Sequence, residues 1–158
     1  ITSAICNSFK EEILQGGQNL NASGSTPGGN TIKLALYSSN SATLSKSTTV
    51  YTAPADGTAD PTNTYEVTST GSGYTTGGNT LTNIDPTLDS DTAICDFADT
   101  SWTSASFTAN GCLIYNDSHA TDAAVCAVAF GGDKTVSSGT FTVQFPAAGA
   151  TTAIVRIA

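Results

Sequence analysis

Hydrophobic positions change their spacing once along this chain. In "TSAICNSFKEEILQGG" the residues Ile5, Phe9 and Ile13 recur every four, with Cys6 and Leu14 beside them. One apolar stripe at that spacing predicts an amphipathic helix over residues 1–18. Thr2 or Ser3 is placed to cap its start, and Gly16-Gly17 to end it. The next stretch, "NLNASGSTPGGN", has no period and is rich in Gly, Ser and Asn, so residues 19–30 read as a flexible linker or loop.

From Thr31 onward the period is two. "TIKLALY" sets Ile32, Leu34 and Leu36 on one face. Further strands are expected around "TTVYT" (residues 48–52) and "TYEVT" (residues 64–68), with the polar "APADGTADPTN" as an exposed excursion between them. "GSGYTTGGNTLTNI" alternates turn and strand, and "TAICDFAD" alternates faces. "SWTSASFTANGCLIYN" predicts a strand pair or one strand bulged around Gly111. "AVCAVAF" is apolar throughout, as a central strand buried on both faces is. "GTFTVQF" sets Phe141, Val143 and Phe145 on one face, and "TAIVRIA" reads as a last strand. The expected fold is all-β, an antiparallel sandwich or barrel of about nine strands over residues 31–158, with one N-terminal helix packed on it or on a neighbouring subunit.

Composition narrows the function classes. Among 158 residues, 5 are Lys or Arg and 13 are Asp or Glu, for a net charge of −8. Phosphate binding needs clustered cations, and Lys10, Lys33, Lys46, Lys134 and Arg156 are scattered, so nucleic acid is not an expected partner. No apolar run reaches the about 18 residues of a membrane helix, so no membrane partner is expected either. The start of the chain lacks the basic and long apolar regions of a signal peptide. It holds no Met, so an initiator is omitted or processing has occurred. Charged residues are only 11% of the chain. A surface of hydroxyls and small side chains suits a protein covered by neighbours, because few charges need desolvation.

Candidate chemistry is sparse. The only histidine, His119, lies in "YNDSHATDAAVC" between Asp117 and Asp122. Its neighbours are residues that bond their own backbone in loops, which makes it the exposed tip of a hairpin. No serine sits in a G-x-S-x-G elbow. Asp85, Asp89, Asp91, Asp96 and Asp99 are of a type to hold calcium, but the EF-hand order is missing and Asp at strand ends forms turns. The Gly-Gly pairs at 16–17, 28–29, 77–78 and 131–132 precede no helix and read as turns and bulges. Asn21 and Asn116 fit N-x-[ST]. The four cysteines lack C-x-x-C spacing, and Cys112 and Cys126 flank one hairpin within reach of a bridge. No catalytic residue, cofactor or metal is expected.

Several segments together carry a resemblance: "GYTTGGNTL", "DFADTSW", "LIYND" and "FGGDK", within a similarity running from Thr2 to Ala158. The chain resembles a family of small virion proteins of tailed phages, marine and cyanobacterial ones among them. Against the family's pattern, "APADGTADPTN" looks like an insertion, and Cys112 and Cys126 replace small or apolar residues. The resemblance implies a virion component, located on the capsid surface and assembled in the host cytoplasm. It implies either a capsid decoration (cement) protein bound to the major capsid protein and to itself, commonly as a trimer, or a tail-associated protein, and it transfers no catalytic residues. Ile5, Phe9, Ile13 and Leu14 are the expected anchoring face. Three other roles fit the residues: a tail-associated tube, adaptor or fibre subunit; a filament or adhesin subunit donating a strand such as "AIVRIA"; or a calcium- or glycan-binding β-module using Asp89 and Asp91.

Overall fold

A computed structural model describes residues 1–38, 43–53 and 65–158. Most of the excursion "APADGTADPTN" and Thr64 lie outside the described residues. The chain is mostly β, with two antiparallel sheets and a single helix among the described residues. The strands are β1 (Ala4–Ile5), β2 (Ile32–Tyr37), β3 (Asn79–Thr80), β4 (Asn83–Asp89), β5 (Thr92–Phe97), β6 (Thr100–Asn116), β7 (Ala123–Val143) and β8 (Val155–Ile157); α1 spans Asn7–Gln15. The larger sheet has the order β1-β7-β6-β2-β3 and the smaller β4-β5-β8. One contiguous core takes Leu34, Leu36 and Leu113 from the first and Cys95, Phe97 and Val155 from the second.

The helix is shorter than its apolar stripe predicts. Ala4 and Ile5 are extended and pair with Ala127 and Cys126 of β7. Tertiary hydrogen bonds hold the strand in place: Thr2 N–H donates to the Leu44 carbonyl at 2.9 Å, and Cys6 N–H to that of Val125 at 2.9 Å. Neither Thr2 nor Ser3 caps the helix. Cys6 is the N-cap and makes no side-chain capping bond, while Ser3 Oγ accepts from Ala129 N–H at 2.9 Å. The C-terminus follows expectation: Gly16 takes a left-handed φ of 74° and its N–H donates to the last turn. Phe9 is 0% exposed in this chain's own core. The helix packs in cis, and the segment before it is an integral edge strand.

Residues 19–30 form the loop alternative, and one stitched down at several points. Asn19 N–H donates to Asn30 Oδ1 at 2.7 Å, Ala22 N–H to Asp85 Oδ1 at 2.8 Å, and Asn83 Nδ2 to the Asn21 carbonyl at 3.0 Å.

β6 and β7 dominate the molecule. They form one long hairpin, pairing from Asn116↔Ala123 at the turn to Thr100↔Val143 at the far end. The separate strands expected at "AVCAVAF" and "GTFTVQF" are one 21-residue strand. Gly131 and Gly132 take φ of 73° and 142°, and the register jumps there from Gly111↔Ala129 to Ala109↔Lys134. The glycines bulge the strand instead of reversing it. The bulge expected at Gly111 is therefore on the partner strand: Gly111 pairs with Ala129, and the extra residue of β6 lies between Trp102 and Ala105. Toward the far end, Phe107 and Phe141 (centroids 5.0 Å apart), Trp102 and Tyr74 (6.0 Å) form an aromatic cluster on one face.

The strands expected at residues 48–52 and 64–68 are single bridges where described, Val50↔Ala123 and Tyr37↔Glu66. All four cysteines are free and buried.

Candidate functional site

Most residues singled out by type have a local structural task, while Asp91 is exposed. His119 sits in the β6–β7 turn: its Nδ1 lies 3.0 Å from Thr121 Oγ1, and its carbonyl accepts from Asp122 N–H at 3.0 Å. The aspartates are spread among separate backbone contacts. Asp85 accepts from Ala22 and Ser25, and these bonds lower its carboxyl pKa. Asp89 Oδ2 accepts from Ala150 N–H at 2.7 Å, and Asp99 Oδ1 from Phe145 N–H at 2.9 Å. Asp96 is buried, its Oδ1 accepting from Phe97 N–H, and burial raises its pKa. Among the described residues no three His, Cys, Asp or Glu side chains converge as a metal site. Asn116 is fully buried, with Nδ2 donating to Gln18 Oε1 at 2.8 Å and Asn30 Oδ1 at 3.1 Å. A side chain so placed is inaccessible to glycosylation.

A polar centre lies at Glu66, which residue-type reasoning passed over. Tyr74 Oη (2.7 Å) and Gly77 N–H (2.7 Å) donate to its Oε1, and Tyr51 Oη (2.9 Å) to its Oε2. Tyr51 stacks on Tyr115 at 4.3 Å, and Tyr115 Oη donates to the Gly77 carbonyl at 2.9 Å. Gly78 completes the turn with φ of 73°, and a Cβ there would land on the Leu34 carbonyl. Burial raises the Glu66 pKa against the pull of its three donors and of Lys33. Burial followed by the Glu66 charge raises those of Tyr51 and Tyr74. Every donor and acceptor in this cluster is engaged internally, so it ties the 65–78 segment to the sheet.

The surface offers a different kind of site. In the smaller sheet Leu88 pairs with Ala93, and Ala93 with Ile157, forming one cross-strand row. Side chains directly opposite one another share a face, and alternation puts Cys95 and Val155 on that same face. The face leaves the core along β5 and β8: Cys95 and Val155 are each 5% exposed, Ile157 is 54% and Leu88 is 71%. Beside it, Leu14 on α1 is 89% exposed. A cleft of about 380 Å³ separates α1 from β8, with Phe9, Ile13, Leu14 and Ile157 in its walls. A second hollow of about 240 Å³ shares Ile13, Val155 and Ile157 and runs on to Ala93 and Pro86.

The four anchoring residues expected on the helix thus divide. Ile5 belongs to β1, Phe9 is core, Ile13 is half-buried between the two hollows, and Leu14 is exposed. Leu88 and Ile157 carried no signal as surface residues: the aspartates around Leu88 read as turns where the structure has β4, and β8 was legible as a strand but not as a register partner.

Comparison with protein-family models, with curated proteins and with solved structures gave no match.

Proposed function

We propose that this chain is a non-enzymatic structural protein of a virus particle, a decoration (cement) protein that stiffens a tailed-phage head by bridging major capsid subunits. One observation carries the proposal: Leu14 and Ile157 stand exposed in the walls of an apolar cleft, with Leu88 exposed on the same sheet, on a chain whose Glu66 polar cluster is engaged internally. Burying apolar surface yields about 25 cal/mol per Å², and a standard interface removes about 1,600 Å² in total. A contact of moderate strength, repeated around a shell, holds by avidity. The charge-poor composition and the segmental resemblance to phage virion proteins support a place in the virion.

The test is made on particles assembled without this protein. They are expected to lose their contents at lower temperature and weaker osmotic shock than intact ones. Equal resistance removes the proposal. Copy number separates head from tail: hundreds per particle fit a shell, and a dozen or fewer fit a tail component.

A further inference from the structure

Building on the decoration reading, we infer that the cleft between α1 and β8 receives an extended, acidic strand of the shell protein, added to the open edge of β8. β8 is the end strand of the order β4-β5-β8 and pairs with β5. Among the described residues no strand meets its other edge, and all three residues of β8 line the cleft, so its unpaired backbone groups lie at the cleft wall. The opposite wall is apolar, made by Phe9, Ile13 and Leu14. An extended segment satisfies both walls together, its backbone bonding β8 and its alternate side chains meeting α1.

The rim charge selects the partner. Lys10 and Arg156, two of only five basic residues in a chain of net charge −8, both border the cleft. Among the described residues neither meets a carboxylate: Lys10 Nζ donates to Asn7 Oδ1 at 3.4 Å, and Arg156 Nη1 to the Ala150 carbonyl at 3.5 Å. The ion pair present among the described residues is Lys33–Asp117, elsewhere. Two unpaired cations beside an apolar slot favour a strand that alternates acidic and β-branched side chains. A second copy fits poorly. Pairing β8 with itself about its midpoint sets Arg156 opposite Arg156, and like charges in directly opposed positions destabilise a sheet.

The test uses the isolated protein and two fluorescein-labelled synthetic peptides, one alternating Val with Glu and one alternating Val with Lys. Fluorescence anisotropy is expected to show the Glu peptide binding at least about tenfold tighter. Lys10→Glu combined with Arg156→Glu is expected to invert that preference, with circular dichroism unchanged because both side chains are exposed. Absence of binding by the Glu peptide, or equal binding of the two, overturns the inference. So does a dimer in sedimentation that Leu14→Asp dissolves, since a second copy would then own the cleft. On particles, a charge-reversed variant that still restores heat resistance overturns the cleft assignment and leaves decoration standing. Particles indifferent to the protein overturn decoration itself.

Discussion

Tyr74 Oη donates to Glu66 Oε1 at 2.7 Å while accepting from Leu36 N–H at 3.1 Å, so one phenol joins a buried carboxylate to the backbone of β2. Removing the carboxylate orphans three donors: Tyr51 Oη, Tyr74 Oη and Gly77 N–H. Each buried unsatisfied group costs about 1–3 kcal/mol. Glu66→Ala is therefore expected to lower the unfolding free energy by about 3 kcal/mol or more, read from the urea midpoint. Glu66→Gln keeps an acceptor for Tyr74 and Gly77 and is expected to cost far less. Equal losses would show that the hydrogen bonds do not hold this segment.

The same carboxyl gives stability a pH dependence of definite sign. Burial raises the Glu66 pKa in the folded state. The folded form then binds its proton more tightly than the unfolded form does. The stabilisation is fully present below the ordinary glutamate value of about 4.3 and is lost as pH rises through the raised folded value. Wild-type protein is expected to gain stability relative to Glu66→Gln as pH falls from neutral toward about 4.3. Asp96 and Asp122 are raised as well, but they are common to both proteins and drop out of the difference. Tyr51, Tyr74 and Tyr115, pushed above the ordinary phenol range, titrate outside the window. A wild-type-minus-variant difference flat in pH contradicts the assignment.

The thiols should be silent until the fold opens. Cys6 is pushed up to about 11 and Cys95 and Cys112 to about 12, chiefly by burial, and Cys126 is raised by burial among its neighbouring thiols. A buried thiol with little thiolate reacts slowly. Iodoacetamide at mildly alkaline pH is expected to leave the native protein unmodified and to label all four cysteines in urea. Rapid labelling of the native form would mean that the N-terminal segment opens readily.

The two ends of the helical stripe should behave in opposite ways. Phe9→Ala removes a fully buried ring and is expected to cost about 3–5 kcal/mol. Leu14→Asp touches a side chain 89% exposed, and thermal unfolding is expected to change by no more than about 0.5 kcal/mol. A small effect at Phe9 would mean that the helix is not anchored on its own sheet.

The sequence pattern carries the β class, the helix and its glycine stop, because each depends on residues close together in the chain. Distant partners decide the features it misses. Ala4 and Ile5 leave the helical stripe because β7 offers them a ladder more than a hundred residues away. Gly131-Gly132 has the same local signature whether the strand turns or bulges, and only pairing with β6 decides between the two. Glu66 looks like an ordinary strand residue until donors from positions 51, 74 and 77 gather on it. Of the candidate face, Leu14 is legible from helical spacing. The row Leu88–Ala93–Ile157 exists only once the registers of β4, β5 and β8 are fixed.

The most direct measurement is add-back. Particles assembled without the protein are mixed with purified wild type or with the Leu14→Asp, Ile157→Asp variant, and their release of nucleic acid on heating is followed. Wild type is expected to bind and to raise the release temperature, and the variant, folded but carrying charge on the apolar face, is expected to do neither. Protection by the variant equal to that by wild type would contradict the claim that this molecule works through the apolar area it covers.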